Sequence, residues 1–216
     1  MPTCDRHPFI PASITCWLAQ DYQNRELIIL DDGTDPIRDL VPQDRRILYF
    51  YNPQKELTGR KLNHCCELAM GPIICRFDDD DWSNVDRISD QVRRLQRSGA
   101  PVTGYSHMFF WNMPRQAASL YRAKRKDWIA GTSFCFLRDF WEDHPFHEIH
   151  QGSDSQFIAT LMGTGMIAPA ADPSHMVARS HNMHPTWPRG IVGDRINAAR
   201  LPAGFWQNEK LVRLKA

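Results

Sequence analysis

The sequence lacks the long apolar runs that mark secreted or membrane-spanning chains. No stretch of its 216 residues approaches the roughly 18 consecutive apolar residues that a transmembrane helix needs. The first six residues, Met1-Pro2-Thr3-Cys4-Asp5-Arg6, contain no apolar core of the kind found in signal peptides. These absences predict a soluble, cytoplasmic protein without a transmembrane segment.

The charge balance and the cysteine spacing argue against two further classes of protein. Lysine and arginine number 26, and aspartate and glutamate number 25, so no overall field draws the chain to nucleic acid. Six cysteines are present, but none has the Cys-x-x-Cys spacing of a zinc site. Because a secretory signal is also missing, the even number of cysteines argues only weakly for disulfides.

The apolar pattern of the first hundred residues alternates between helices and strands. Helices are predicted from Pro8 onward, over 61–70, and from Val85 to Gly99. Strands are predicted over 26–30, 47–51 and 73–77. Short strands that alternate with helices are typical of a mostly parallel sheet in a layered α/β domain.

From Val102 onward the pattern changes to hairpin-like strands. The sequence predicts strands over 102–111, 117–122 and 133–137, followed by a helix over 153–162. The chain contains no internal repeat and no Gly/Ser linker, and its length suits one domain. We therefore expect the two halves to share one sheet.

Four consecutive aspartates, Asp78 to Asp81, follow the apolar run 73–77, where a buried strand is expected to end. Adjacent carboxylates repel one another, and a cation relieves that repulsion. Oxygen-only clusters suit Mg²⁺ and Mn²⁺, which keep coordination positions for substrate phosphates. Ligands of such folds bind beyond the carboxyl ends of the strands, where Asp31 and Asp32 also lie. The pattern predicts a metal site, with a solvated acidic loop as the alternative.

Several short motifs occur in an order shared with one enzyme family. They are Pro2-Thr3-x-x-Arg6-x-x-Phe9, Leu18-Ala19-Gln20-x-Tyr22, Glu26-Leu27-Ile28 with Asp31-Asp32-Gly33, Lys61-x-Asn63, Glu67-x-Ala69-x-Gly71 and Asp78 to Trp82. In these motifs, over about its first three quarters, the chain resembles family 2 glycosyltransferases of the nucleotide-diphospho-sugar transferase (GT-A) fold.

The resemblance implies a single-domain α/β fold of the GT-A type over residues 1–216. Its central sheet would be Rossmann-like, mostly parallel and flanked by helices, with a smaller mixed or antiparallel portion on the acceptor side. The domain would comprise a nucleotide-sugar-binding half at 1–100, an acceptor and catalytic half at 101–185, and a C-terminal tail at 186–216. Relatives also carry an apolar strand ahead of their Pro-Thr, so the resemblance implies that this sheet is short of one ladder.

The resemblance assigns the donor nucleotide to the first half of the chain. In the family, the loop after the first strand and the Asp-Asp-Gly turn surround the base and ribose, which corresponds here to Thr3, Asp5 and Asp32. Carboxylates suit this role because they accept hydrogen bonds from a uracil-type N–H or from ribose hydroxyls. Lys61 matches a basic position near the base or the diphosphate. The alternative for Lys61 is an exposed lysine at a helix start.

The acidic run resembles the Asp-x-Asp element of the family in two alternative registers. One register pairs Asp78 with Asp80, and the other pairs Asp80 with Asp81. We favour Asp80 as a contact to ribose or metal and Asp81 as a metal ligand, with Asp78 also among the candidate metal ligands and Asp79 and Asp80 among the donor-binding residues. The ion would bridge the donor phosphates and neutralise the charge of the leaving nucleoside diphosphate.

A histidine late in the chain is a further metal ligand in many relatives. His181 is the best match, and His175 and His184 are its rivals. Imidazole is a reasonable ligand for Mn²⁺ and a poor one for Mg²⁺, so Mn²⁺ is favoured over Mg²⁺ as the cofactor.

The catalytic base implied by the resemblance is Asp154, which matches the aspartate of the family's Glu-Asp motif at a helix start. A carboxylate on the acceptor side removes the proton of the attacking hydroxyl. The alternative is that Ser153 or Asp154 caps the helix. Residues near the donor sugar and the acceptor would be Trp82, Trp128, Gly131, Thr132 and Ser133.

Two positions depart from the family pattern, and the tail has no recognisable match. Ser153 replaces the usual glutamate of the Glu-Asp pair, and Leu62 replaces an arginine that is common beside the lysine. Apolar residues of the tail are expected to dock on the domain, with another subunit or a membrane surface as alternatives; they are Phe205, Trp206, Leu211 and Leu214.

The sequence therefore predicts a metal-dependent, inverting glycosyltransferase that moves a sugar from a nucleotide donor, with UDP favoured, to a hydroxyl on a glycan, a lipid-linked molecule or a protein. One alternative is a degenerate sugar-nucleotide-binding or scaffold protein, motivated by Ser153. A weaker alternative is a nucleotidyltransferase, which would require a Gly-rich, basic loop after the first strand.

Overall fold

The computed structural model describes residues 1–183 and 192–213, which form a mixed α/β fold. The helices of this part of the chain are α1 (Ile10–Leu18), α2 (Thr58–Leu68), α3 (Arg87–Ser98), α4 (Arg138–Asp143), α5 (Ser153–Leu161) and α6 (Ala203–Glu209). Its strands are β1 (Pro2–Thr3), β2 (Leu27–Asp31), β3 (Ile47–Tyr51), β4 (Ile73–Cys75), β5 (Trp82–Ser83), β6 (Val102–Tyr105), β7 (His107–Asn112), β8 (Ala117–Arg122), β9 (Cys135–Leu137), β10 (Ile167–Ala170), β11 (Met176–Ser180) and β12 (Asp194–Ile196). None of these helices is long and apolar enough to cross a membrane.

The strands form three hydrogen-bonded sheets, so the prediction of a single sheet is wrong, although the two halves do share sheets through the pairs β4–β9 and β5–β11. The first sheet has the order β1-β2-β3 and is parallel throughout. The second sheet has the order β10-β6-β9-β4, and the third has the order β12-β8-β7-β11-β5; both mix parallel and antiparallel pairs. The predicted strand over 102–111 is divided at Ser106, because β6 pairs with β9 and β10 whereas β7 pairs with β8 and β11.

The predicted α/β class is confirmed, and many elements lie close to their predicted positions. Strands β3 and β8 have the predicted bounds, and α3 ends at Ser98 and is capped by the predicted Gly99, whose φ of 69° is the left-handed conformation that glycine adopts at helix ends. Val85 was predicted to be the first residue of this helix. It instead precedes α3 and is 48% exposed.

A groove separates β2 from β4, and we call it the inner groove. Strand β1 contributes only Pro2 and Thr3 to the pairing with β2. Among the described residues, no strand lies beside Leu27 on the β1 side of β2, and none lies along the outer edge of β4. The groove holds a cavity of about 540 Å³ with largely apolar walls that include Ile28, Leu62, Ile74 and Val92.

The apolar core brings the two ends of the chain together. Its largest cluster joins Trp17 of α1, Ile29 of β2, Trp82 of β5 and Phe205 of α6. The ring of Phe205 is fully buried and meets Trp82 edge to face, with centroids 6.4 Å apart. The tail therefore docks on the domain through α6. Leu214 lies outside the described residues.

Candidate active site

The four aspartates lie in the turn between β4 and β5, and we call this segment the acidic turn. Phe77 and Trp82 are buried on either side of it, so the turn is held at the end of the strand by apolar anchors. Asp78 accepts two hydrogen bonds from Arg76, with Nε 2.8 Å from Oδ1 and Nη2 3.2 Å from Oδ2. Both oxygens of Asp78 are thus engaged by one guanidinium group.

His181 lies against Asp80, from a position 101 residues later in the chain. Its Nε2 is 2.9 Å from Asp80 Oδ2, and its ring stacks on Phe9 with centroids 4.1 Å apart. The rival His175 lies elsewhere, with Nδ1 3.1 Å from Asp86 Oδ1 and its ring stacked on Tyr105. His184 lies outside the described residues. The structure therefore places His181, and not His175, at the acidic turn.

Asp79 and Asp81 are buried carboxylates with raised pKa values. Burial raises the pKa of Asp79 to about 7, the charge of Asp80 adds to this rise, and Arg6 opposes it. Burial likewise raises the pKa of Asp81 well above its usual range, with the charges of Asp80 and Asp78 acting in the same direction. Carboxylates crowded in this way are stabilised in their charged form by a nearby cation.

Asp81 is held by two donors from other parts of the chain. The Thr132 hydroxyl donates to Oδ2, and the backbone N–H of Arg179 donates to Oδ1 over 3.0 Å. Within residues 1–183 and 192–213, no group of three or more His, Cys, Asp or Glu side chains is assembled to hold a metal. The donor set of Asp80, Asp81 and His181 nevertheless has the oxygen and imidazole chemistry that suits Mn²⁺.

Asp154 lies next to a short turn of 3-10 helix, Gly131–Ser133, that also contacts the acidic turn. A Cβ atom at position 131 would lie 2.1 Å from Asp154 Oδ2, so only glycine leaves room for this carboxylate. The next residue, Thr132, donates to Asp81. Arg76 adds a second link, since its Nη1 is 3.8 Å from Asp154 Oδ2. The predicted base and the predicted metal ligand are therefore joined through neighbouring residues.

The start of α5 does not support the capping alternative for Ser153 or Asp154. Gly152, with φ of 82°, occupies the N-cap position, and Ser153 is already the first helical residue. Asp154 Oδ1 accepts a hydrogen bond from the backbone N–H of its neighbour Ser155 over 2.8 Å. Its side chain remains 36% exposed, so it is accessible to a ligand.

The residues predicted to bind the nucleotide form a connected set. Lys61 donates to Asp32 Oδ1 and, over 3.0 Å, to the backbone oxygen of Thr3. Because Lys61 is only 8% exposed, the alternative of a solvated lysine is wrong. Asp5 has a left-handed φ of 54°, and its Oδ1 accepts hydrogen bonds from both backbone N–H groups of 34–35. Asp5 thereby shapes the loop that follows β2.

Two residues predicted on the acceptor side are instead structural. Trp82 packs in the largest apolar cluster, which removes its ring from contact with a sugar. Ser133 is fully buried, and its hydroxyl donates to the Ala130 oxygen over 2.7 Å and accepts from the Tyr105 N–H over 2.8 Å. Both predictions are corrected for the same reason, because each side chain is buried in the interior of the protein. Trp128 is half-buried and packs against the second apolar cluster.

Three arginines that the sequence did not single out support the site. Arg87 is fully buried and donates from Nη2 to the backbone oxygens of Arg76, over 2.5 Å, and Thr132, over 3.2 Å. Arg179 donates from Nη1 to the Asp80 backbone oxygen over 2.8 Å, and α6 holds it through Glu209 at 2.7 Å. Arg76 directly precedes Phe77 and the acidic run, and this adjacency was the one signal in the sequence.

Comparisons with known proteins identify the family and the fold of this chain. Residues 1–163 match the family described as Glycosyl transferase family 2. An uncharacterized glycosyltransferase of Haemophilus influenzae is 25% identical over 134 residues, which are 60% of this chain and 54% of the relative. S. aureus TarS 1-349 in complex with UDP-GlcNAc has a TM-score of 0.64 at 14% identity and is matched over 85% of this chain and 58% of its own.

A second solved structure is the mannosyltransferase PcManGT from Pyrobaculum calidifontis in complex with GDP-Man and Mn²⁺. It has a TM-score of 0.63 at 18% identity, over 83% of this chain and 55% of its own. These structural matches show the GT-A fold. The chain thus spans between half and three fifths of the length of these three proteins. Because the match to the family extends over residues 1–163, the chain belongs to glycosyl transferase family 2.

Proposed function

We propose that this protein is a metal-dependent, inverting glycosyltransferase that moves a sugar from a nucleoside diphosphate donor to a hydroxyl acceptor. The observation that carries the proposal is the link from Asp81 through Thr132 and Gly131 to Asp154. Both carboxylates therefore lie against the same short turn, 131–133, which supports a role in metal binding for Asp81 and in proton transfer for Asp154.

The metal would be held by Asp80, Asp81 and His181. Asp80 and His181 are already in contact, and burial raises the pKa of Asp81, so bringing a cation to this turn would relieve an unfavourable charge. When bound, the ion neutralises the negative charge that develops on the leaving nucleoside diphosphate. The presence of imidazole in the set favours Mn²⁺, and the solved mannosyltransferase that carries GDP-Man also carries Mn²⁺.

The donor nucleotide would bind beside the loop shaped by Asp5 and the ion pair of Asp32 with Lys61. The carboxylates of Asp5 and Asp32 offer acceptors for base and ribose, and Lys61 supplies a positive charge near the phosphates. Asp79 lies next to Thr3 on the same side and completes this set. A UDP-linked sugar is our first choice, supported by the UDP-GlcNAc bound to the TarS structure.

Proton transfer would fall to Asp154. As the acceptor oxygen attacks the anomeric carbon, its proton moves to an Asp154 oxygen, the bond to the diphosphate breaks, and the configuration at that carbon inverts. Gly131 lies against Asp154 and Thr132 donates to Asp81, so both are proposed to border the acceptor, with the half-buried Trp128 as a further candidate. No residue of the chain needs to form a covalent bond to the sugar in this scheme.

The proposal is tested by screening nucleotide sugars for Mn²⁺-dependent release of a nucleoside diphosphate with a panel of hydroxyl acceptors. We expect release with at least one donor, and we expect Asp154→Asn to lower kcat by about 100-fold or more. Release at the native rate by Asp154→Asn would overturn the assignment of the base. Donor binding without release on any acceptor would favour a sugar-nucleotide-binding scaffold, and release of pyrophosphate would favour a nucleotidyltransferase.

A further inference from the structure

Arg76 lies between the acidic turn and Asp154 and makes an incomplete set of contacts. Two of its nitrogens, Nε and Nη2, donate to Asp78. The third, Nη1, is buried and has no hydrogen-bond partner among the described residues. It lies 3.8 Å from Asp154 Oδ2, which is within the range of an ion pair but beyond that of a hydrogen bond. A buried donor of this kind normally has a partner.

The position of this guanidinium group is fixed from several directions. The Arg76 backbone N–H donates to the Phe134 oxygen over 2.8 Å, and its backbone oxygen accepts from Arg87 over 2.5 Å. The two parallel hydrogen bonds to Asp78 then set the plane of the guanidinium group, since a bidentate pair admits little rotation. Nη1 is therefore directed at Asp154 by a rigid support.

On the opposite side, one backbone hydrogen bond holds the Asp154 carboxylate. Its Oδ1 accepts from the Ser155 N–H, and Oδ2 faces Gly131 and Arg76. A short movement of the carboxylate would close the 3.8 Å separation to a hydrogen bond. Such tightening is expected when a substrate fills a site, because catalytic hydrogen bonds are often long in the free enzyme.

We propose that Arg76 is a positioning residue for Asp154, anchored by Asp78, and that it orients the Asp154 carboxylate toward the acceptor hydroxyl. This inference rests on the proposed function, in which Asp154 is the base. It also gives Asp78 a role different from that of a metal ligand, because both of its oxygens hold Arg76. Of the two registers of the acidic run, it selects the one that pairs Asp80 with Asp81.

A double-mutant cycle between Arg76 and Asp154 tests the proposal. We expect Arg76→Met to lower kcat by about 10- to 100-fold, the scale of a misplaced catalytic group, with KM for the donor changed less than about threefold. In the Asp154→Asn background the same change should lower the residual rate by less than about twofold, because its target is already disabled. Equal losses in both backgrounds would overturn the proposal.

Two further variants keep the test decisive if Arg76→Met unfolds. Arg76→Lys retains the charge but loses the bidentate pair with Asp78, so it should fold and still lower kcat by about tenfold when Asp154 is present. Asp78→Asn removes the anchor and should lower kcat only when Asp154 is present, while the melting-temperature rise produced by Mn²⁺ and UDP stays unchanged. Loss of that rise would identify Asp78 as a metal ligand and overturn its role as an anchor. If Asp154→Asn alone has the native rate, the proposed function fails first, and the cycle distinguishes this case.

Discussion

The acidic turn and the inner groove both adjoin β4, but their side chains are of opposite kinds. In the turn, buried polar groups find partners from distant segments, such as His181 for Asp80 and Thr132 for Asp81. In the groove, apolar side chains of β2, β4, α2 and α3 surround a cavity of about 540 Å³. Charged groups are crowded together in the acidic turn, whereas the inner groove contains unfilled apolar space.

This difference indicates where the chain's stability and its chemistry reside. Burying several carboxylates together raises their pKa values and costs stability, which is typical of sites that bind charged ligands. An apolar cavity also costs stability, because its walls lose contacts that a packed interior would have. The free-energy cost of the crowded carboxylates falls when a cation binds, whereas the cost of the cavity falls when a larger side chain fills it.

The largest effect is expected from removing a carboxylate of the acidic turn. Mn²⁺ together with a nucleoside diphosphate should raise the melting temperature of the native protein, and Asp81→Ala should abolish that rise because a metal ligand is lost. Asp139→Ala, at an exposed position in α4, is the matched control and should keep it. An unchanged rise in Asp81→Ala would remove Asp81 from the metal site.

A substitution at Gly131 tests how closely the turn 131–133 approaches Asp154. Because a Cβ atom there would lie 2.1 Å from Asp154 Oδ2, Gly131→Ala should displace the carboxylate and lower kcat by about 100-fold. Gly71→Ala meets nothing closer than 3.7 Å and should leave kcat unchanged. Steady-state kinetics of the two variants provide the comparison, and equal rates would contradict the packing described here.

The dependence of stability on pH follows from the raised pKa of Asp79. Between about pH 4 and 7 the folded state keeps a proton that the unfolded state has lost, so the free energy of unfolding should fall as pH rises through this window. The slope is up to about 1.4 kcal/mol per pH unit for one such group. Metal-free denaturation from pH 4 to 8 measures it, and Asp79→Asn should reduce the slope. Parallel curves for the two proteins would argue against a buried, protonated Asp79.

The smallest effect concerns added volume in the two kinds of interior. Val92 lines the inner groove, and Val92→Ile should stabilise the protein by about 0.8 kcal/mol, the value of one buried methylene. Val102 is fully buried in a packed cluster, so Val102→Ile should cost about 1–3 kcal/mol. Urea denaturation measures the change in the free energy of unfolding for each variant. Changes of the same sign would contradict the expected contrast.

Sequence reasoning located the acidic turn, because a run of aspartates after an apolar segment marks the end of a strand. It also placed β3 and β8 at their observed bounds, since apolar alternation is a local signal. The division into three sheets was missed, because pairing between distant strands leaves no trace in local periodicity. Arg87 and Arg179 were missed for a related reason, since an arginine in a helix or a strand looks solvated until its distant partners are known.

The most direct test of the central claim is a crystal structure with Mn²⁺ and UDP bound, with the metal located by its anomalous scattering. If this claim holds, an anomalous peak will lie within coordinating distance of Asp80, Asp81 and His181, in contact with the diphosphate and on the side of the site that Asp154 borders. A nucleotide bound away from the acidic turn, or a metal held by other residues, would contradict it.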